Sequence, residues 1–360
     1  MSVNGKTKVG VIGLGVGTAH VSGYLAMPEV ELVGICDINP ERLSQVGDQY
    51  NVPNDRRFTL IDDLLAVPGI DAVSVALPNH LHAPISIQAL KAGIHVLCEK
   101  PLARTAAEAQ SIVDAATAAK RTLMVCFNYR YRADARWLKT LAADDRLGEV
   151  YYAKALWSRN SGIPGAGTWF TQKELSGGGP LIDLGVHVLD LALWLMGHPT
   201  PVSVSGQTFS KFGPRGRKAW GNTQRPAGAG AFDVEDLAAG FVRFADGRAL
   251  SIETSWASQT AAGRDDYSVT LYGAEGGGEL AVRNYSQTDT VTFFTEGGGQ
   301  PVDIRPSLTA GGGHQLACQH FIDSVRADKA PDSPGEQGVV LMKIIDALYE
   351  SARTGSEVKL

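Results

Sequence analysis

Residues 8 to 17, KVGVIGLGVG, decide how the rest of the chain is read. Lys8 to Ile12 is an apolar, β-branched run, and Gly13-Leu14-Gly15-Val16-Gly17 follows it directly and opens a helical stretch. In that context a glycine turn lets pyrophosphate approach backbone N–H groups at a helix N-terminus. The third glycine is Gly17 and position 18 is Thr, a departure from Gly-x-Gly-x-x-Gly that keeps the tight turn and leaves the path beyond it open.

Working outward, Asp37 ends the second apolar run twenty residues after Gly17 and is followed by Ile38. A carboxylate there accepts hydrogen bonds from a ribose diol and repels a 2′-phosphate, so NAD is favoured over NADP, with Arg42 the one feature on the NADP side. The strand candidates continue as RFTL (57–60), DAVSVALP (71–78), HVLCEKP (95–101) and TLMVCFN (122–128), after KVGVIGL (8–14) and VELVGICD (30–37). Helical spacing in HAPISIQALKAG and TAAEAQSIVDAATAAK separates the later ones. Strands that are apolar throughout and alternate with helices predict a doubly wound parallel sheet covered on both faces.

Beyond residue 128 the pattern changes. A helical stretch (133–142) leads to GEVYYAKALWS, and VSVSGQTFS, LAAGFVRF, ALSIETSWAS, YSVTLYG and TVTFFTE alternate at period two. Alternation means one covered face, so the second half reads as α+β with an open-faced, mainly antiparallel sheet. Asp246-Gly247 marks a hairpin. Glycines at 276–278, 297–299 and 311–313 read as turns, and a closing helix spans roughly 336 to 353 and could pack on either half. The expected division is therefore a doubly wound nucleotide-binding domain, 1–127, and an α+β domain, 128–360.

Composition narrows the function. The 360 residues carry a net charge of −5 and are 44% hydrophobic, with mean hydropathy −0.05, which fits a globular chain and argues against a phosphate-neutralising surface. Polynucleotide partners are not expected. No apolar run approaches the roughly 20 residues that span a bilayer, and no signal peptide is recognisable, so a cytoplasmic protein without a membrane partner is expected. Cys36, Cys98, Cys126 and Cys318 are far apart and read as reduced, buried and inert. With neither Cys-x-x-Cys nor His-x-x-x-His, no metal is expected.

Two further motifs join the glycine turn. Glu99-Lys100-Pro101 ends the fifth strand, and Gly177-Gly178-Gly179-Pro180-Leu181-Ile182-Asp183-Leu184-Gly185-Val186-His187 is followed by Asp190. With Pro78-Asn79-His80-Leu81-His82 and Ser351-Ala352-Arg353-Thr354-Gly355, the chain resembles the glucose-fructose oxidoreductase/inositol dehydrogenase (Gfo/Idh/MocA) family over essentially its whole length. The resemblance implies a Rossmann domain followed by an open-faced sheet through which such proteins form homodimers or homotetramers. Trp169-Phe170 stands where many relatives have Trp-Arg.

Oxidising a secondary alcohol needs a base and a group that stabilises alkoxide character. Lys100, at the carboxyl end of a parallel strand, and His187 suit those tasks, and Asp183 lies one helical turn from His187. Either Lys100 or His187 can be the base, with the other orienting. Asp190 is a partner of His187 or a plain helix charge. Cofactor contacts are expected from Gly13, Leu14, Gly15, Val16, Gly17, Asp37, Ile38, Pro78, Asn79, Glu99 and Lys100, and from His82 unless it serves only to pack its helix. Arg130, Arg159 and Trp169 are substrate-side candidates, since guanidinium and aromatic groups hold polyhydroxylated rings. The expected reaction is NAD-linked oxidation of a sugar or cyclic polyol, inositol-like, or its reverse. The rivals are a cofactor-recycling enzyme that leaves no net NADH and an NAD-binding regulator without turnover.

Overall fold

The structure, a computed structural model, describes residues 5–165, 167–220 and 232–360. The chain separates into two compact units. One runs to Asn128 and takes up Gly312–Val339; the other comprises Tyr129–Gly311 and Val340–Leu360. The expected boundary at 127/128 falls beside the first crossing, whereas residues 312–339, expected with the second half, are packed with the first.

The first unit alternates β1 (Thr7–Ile12), α1 (Gly17–Leu25), β2 (Val30–Cys36), α2 (Pro40–Gln49), β3 (Arg57–Phe58), α3 (Ile61–Leu65), β4 (Ala72–Val75), α4 (Asn79–Lys91), β5 (His95–Glu99), α5 (Ala106–Ala119) and β6 (Leu123–Cys126). All six strands are parallel in the order β3-β2-β1-β4-β5-β6. Every residue of β4, β5 and β6 is buried, as expected for strands covered on both faces. The order reverses between β1 and β4, and ligands of open α/β sheets bind outside the carboxyl ends at such a point.

The returning segment completes this unit. It forms a helix, numbered α9 in chain order (Gly313–Ala327), whose buried Cys318 and the backbone of exposed Gln315 face Gly23 of α1, where a Cβ would meet both at 3.5 Å. Ser333 then exchanges hydrogen bonds with Val125 along the outer edge of β6. Gly311 and Gly312 both have positive φ and lead directly into α9, of which Gly313, expected in a turn, is already the first residue.

In the second unit α6 (Ala133–Ala143), β7 (Val150–Arg159), α7 (Lys173–Ser176), a π-turn (Leu181–Gly185) and α8 (Val186–Leu195) precede β8 (Pro201–Phe209), β9 (Leu237–Phe244), β10 (Ala249–Ser255), β11 (Asp265–Gly273), β12 (Gly277–Arg283), β13 (Val291–Gly297) and β14 (Gln300–Ile304). Most of α10 (Gly335–Thr354) and β15 (Val358–Lys359) close it. The nine strands follow the order β14-β13-β12-β11-β7-β10-β9-β8-β15 and pair antiparallel except for β7 with β10, so the sheet is mixed and mostly antiparallel. Gly277 and Gly278 belong to β12 rather than to a turn, because a side chain at Gly278 would collide with Leu138 of α6. Gly206 of β8 and Gly240 of β9 likewise make room for Leu348 of α10.

The run Lys173–Leu195 is long and apolar enough to cross a membrane by composition, which the sequence reading did not anticipate. With 89% of its apolar window buried inside the protein, this run, divided among α7, the π-turn and α8, belongs to the core. Residues 221–231 lie outside the described residues.

His95 links this fold to pH. Its Nδ1 accepts the Thr122 backbone N–H at 2.9 Å, and burial, aided by Arg121, lowers its pKa to about 4. The folded protein keeps the ring neutral where the unfolded chain takes up a proton near 6.5, so stability falls as pH drops from about 7 to about 4. Denaturant titrations should show His95→Gln losing up to ~3 kcal/mol less than the parent across that window.

Candidate active site

At the first carboxyl edge, Gly13 has φ +88°, and a Cβ there would collide with the Ala76 carbonyl at the end of β4. Only glycine permits that approach. A Cβ at Gly15 would face open space, whereas one at Gly17 would press to 3.2 Å on Ala76 and Val11. Gly17 thus performs the close helix–sheet packing usually served by a later glycine. Asp37 accepts the Leu14 N–H on one carboxylate oxygen and the Asn39 N–H on the other, both at 2.9 Å. Arg42 is occupied in holding the turn, donating from Nε to the Leu14 carbonyl at 2.8 Å. Ile38 and Val16 stand exposed beside them. These features fit a dinucleotide: an open backbone at Gly15, a helix N-terminus at Gly17 and an acid at the end of β2.

The second edge segment follows β5. Lys100 is half-buried, its peptide to Pro101 is cis, and its backbone N–H donates to Glu99 Oε2 at 3.2 Å. His82 is buried, with one ring nitrogen 2.7 Å from the Pro101 carbonyl and the other 2.7 Å from the Leu77 carbonyl. It braces the β4 and β5 loops together, so its side chain serves the framework. Asn79, buried beside Pro78, opens α4 at the same edge.

Glu99 turns inward. Its Oε1 lies 2.9 Å from His20 Nε2 and 3.6 Å from His314 Nε2. Burial alone would raise the Glu99 carboxyl, but the His20 hydrogen bond and charge hold it well below the usual carboxylate range. Neither histidine carries a sequence motif, and only the return of residues 312–339 brings His314 near.

In the second unit the triple glycine is explained by its neighbours. Gly177 has φ +88°, and side chains at Gly178 and Gly179 would collide with the Tyr349 hydroxyl and the Glu235 carbonyl. The Glu235 carboxylate, itself buried, accepts the N–H groups of Gly179 at 3.0 Å and Leu181 at 3.1 Å and the Tyr349 hydroxyl at 2.9 Å. It caps the start of the helical run that carries Asp183 and His187.

Asp183 accepts from the Trp256 indole at 2.9 Å. His187, one turn on, meets the edge of Tyr129 with centroids 4.6 Å apart and lies 5.7 Å from the Trp157 ring. Arg159 donates to Asp265 at 2.9 Å and to the Tyr285 hydroxyl at 2.5 Å. Trp169 stacks on Phe170 at 3.8 Å and is half-buried. Tyr129, Trp157, Trp256, Tyr285 and Glu235 escaped the sequence reading, because alternation shows that an aromatic faces inward without showing which polar group it meets.

Arg130 requires a correction. It is fully buried, and its guanidinium donates to both oxygens of Asp190, at 2.8 and 2.5 Å. It holds the α8 core together and does not present a surface to substrate; Asp190 is its partner and not that of His187.

Comparison with known proteins decides the family. Residues 7–127 match the Gfo/Idh/MocA oxidoreductase family model for the NAD-binding Rossmann fold, and residues 139–360 match that family's C-terminal alpha/beta domain. The chain belongs to the Gfo/Idh/MocA oxidoreductase family. Within it, the chain is 32% identical to D-glucoside 3-dehydrogenase of Escherichia coli (strain K12), covering 98% of this chain and 97% of that one. It is 34% identical to levoglucosan dehydrogenase of Pseudarthrobacter phenanthrenivorans, covering 78% and 74%. A solved structure of levoglucosan dehydrogenase in complex with NADH and levoglucosan superimposes with a TM-score of 0.83 at 26% identity, covering 98% and 99%. Membership makes this Gfo/Idh/MocA chain an oxidoreductase with an NAD-binding Rossmann domain.

If Arg130 and Asp190 form a purely internal pair, Asp190→Leu alone strands a buried guanidinium and should cost about 3–5 kcal/mol in chemical denaturation. The double variant Arg130→Met/Asp190→Leu should recover most of that loss.

Proposed function

We propose that this Gfo/Idh/MocA chain is an NAD-dependent dehydrogenase that oxidises a secondary ring hydroxyl of a sugar, glycoside or cyclic polyol, or reduces the corresponding ketone. The observation that carries this reading is the Asp183–His187 pair, flanked by Tyr129 and Trp157: a proton acceptor and a carboxylate one turn apart beside aromatic rings, which suit the C–H faces of a sugar. The relatives' activities on glucosides and levoglucosan support the same substrate class.

NAD, when bound, supplies the hydride acceptor at nicotinamide C4. Gly13, Leu14, Gly15, Val16 and Gly17 would hold its pyrophosphate and Asp37 its ribose diol, with Ile38, Pro78 and Asn79 along the same edge. Glu99 contributes by fixing the Lys100 backbone. The Lys100 ammonium stabilises the developing alkoxide, a His187 ring nitrogen takes the hydroxyl proton, and Asp183 orients the substrate and steadies the imidazolium. Arg159 and Trp169 remain the substrate-side candidates.

Self-association through the outer face of the nine-stranded sheet is part of the proposal. Tyr152 packs there against Tyr272 and Phe241, at 5.5 and 6.4 Å between centroids, and all three are half-buried. Light scattering should show an oligomer for the parent and a smaller species for Tyr152→Glu.

The direct test follows NADH and NADPH formation across glucosides, anhydrosugars, inositols and simple alcohols. Turnover on a ring hydroxyl with NAD, reduced ~10²–10⁴-fold in Lys100→Met and His187→Ala while NAD affinity persists, is the expected result. Tight NAD retention without net NADH on any substrate would replace this reading with the recycling enzyme. Inert behaviour, with both substitutions silent, would replace it with the regulator.

A further inference from the structure

Four metal-ligating side chains, 294 positions apart at their extremes in sequence, converge inside the first unit. His20 Nε2, a Glu99 carboxylate oxygen, Cys126 Sγ and a ring nitrogen of His314 all lie within 4.8 Å of one another. His20, Glu99 and Cys126 are buried, and His314 keeps 28% of its side chain exposed, which leaves a way in. We propose that His20, Glu99, Cys126 and His314 form a structural divalent-metal site, with zinc the ion it suits best.

The donor set is two imidazoles, one thiolate and one carboxylate, the mixture of borderline ligands that selects zinc over calcium or magnesium. Ideal tetrahedral zinc separates such donors by roughly 3.3–3.7 Å. The separations here are 2.9 Å from His20 to Glu99, 3.6 Å from His314 to Glu99 and 3.9 Å from Cys126 to His20, with every pair inside 4.8 Å, so side-chain shifts of about an ångström or less bring the donors to a common ion. Four protein donors fill the tetrahedron and leave no open position, the hallmark of a structural site and not a catalytic one.

The outer contacts are also those of a metal site, where a ligating histidine has its other nitrogen held. His20 Nδ1 lies 3.0 Å from Ser74 Oγ, which is in turn 2.7 Å from the Tyr24 hydroxyl. With Nδ1–H directed to Ser74, Nε2 donates to Glu99 Oε1 in the metal-free protein, and an ion that displaces this Nε2 proton would take its lone pair. His314 Nδ1 lies 3.4 Å from the Asn128 side-chain amide, whose buried oxygen has no partner among the described residues. A half-turn of that amide places its oxygen on Nδ1–H and leaves Nε2 to the ion. The other Glu99 oxygen stays with the Lys100 N–H. Binding releases two protons to solvent, the Cys126 thiol proton and the His20 Nε2 proton, so Zn²⁺ balances the thiolate and the Glu99 carboxylate; nothing is oxidised or reduced.

The test uses the full chain, stripped of metal by chelator and titrated with Zn²⁺ and with Co²⁺. About one equivalent should bind, with zinc raising the thermal midpoint and cobalt giving the intense near-ultraviolet thiolate charge-transfer band. Cys126→Ser should abolish that band, His314→Ala should weaken zinc at least ~10²-fold, and Ser74→Ala should weaken it ~10–100-fold through His20. Circular dichroism confirms that each variant is folded, and His314, at the rim, is the substitution least able to disturb the core. Absence of stoichiometric binding by the parent, a cobalt complex without the thiolate band, or undiminished affinity in folded His314→Ala would each overturn the site.

Discussion

Backbone N–H groups that leave strands and helices must still be hydrogen-bonded, and in this chain carboxylates meet that demand wherever function is expected. Asp37 holds Leu14 in the glycine turn, Glu99 holds Lys100, and Glu235 holds Gly179 and Leu181 ahead of His187. Asp236 does the same for the loop at 211–213, one oxygen accepting three consecutive N–H groups. Each acid fixes an irregular segment that propensity alone would leave loose. The glycines are the complement, admitting the approach that the acids hold.

This division explains what the sequence could and could not reveal. The parallel sheet was legible because burial on both faces leaves continuous apolar runs, and β1, β2, β4, β5 and β6 lie where those runs fall. The mixed sheet was legible from alternation, but β12, β14 and β15 were not: β12 begins with glycine, β14 is exposed throughout, and β15 is two residues long. Helix α9 was hidden behind three glycines that read as a turn.

Among candidate site residues, motif position located the segments, and tertiary pairing decided what each side chain does there. Asp37, Lys100, Asp183 and His187 sit where a strand end or helix start predicted them. Arg130 and His82 illustrate the limit: both are polar residues near the expected motifs, yet one is neutralised by Asp190 and the other bridges two carbonyls. Nothing in local sequence distinguishes a guanidinium that meets substrate from one that meets a buried aspartate sixty positions away. The Glu99 cluster is the extreme case, since its members come from α1, β5, β6 and α9.

The discontinuity of the first unit has a consequence for how the protein is made. A ribosome delivers the six parallel strands early, yet α9, which covers α1, and the Ser333 segment, which lines β6, follow only after β7 to β14 of the second sheet have been synthesised. The nascent Rossmann unit therefore waits through the synthesis of residues 129–311 with the α9-facing side of α1 and one strand edge uncovered, and the second unit closes last of all, since α10 and β15 are the final elements to emerge.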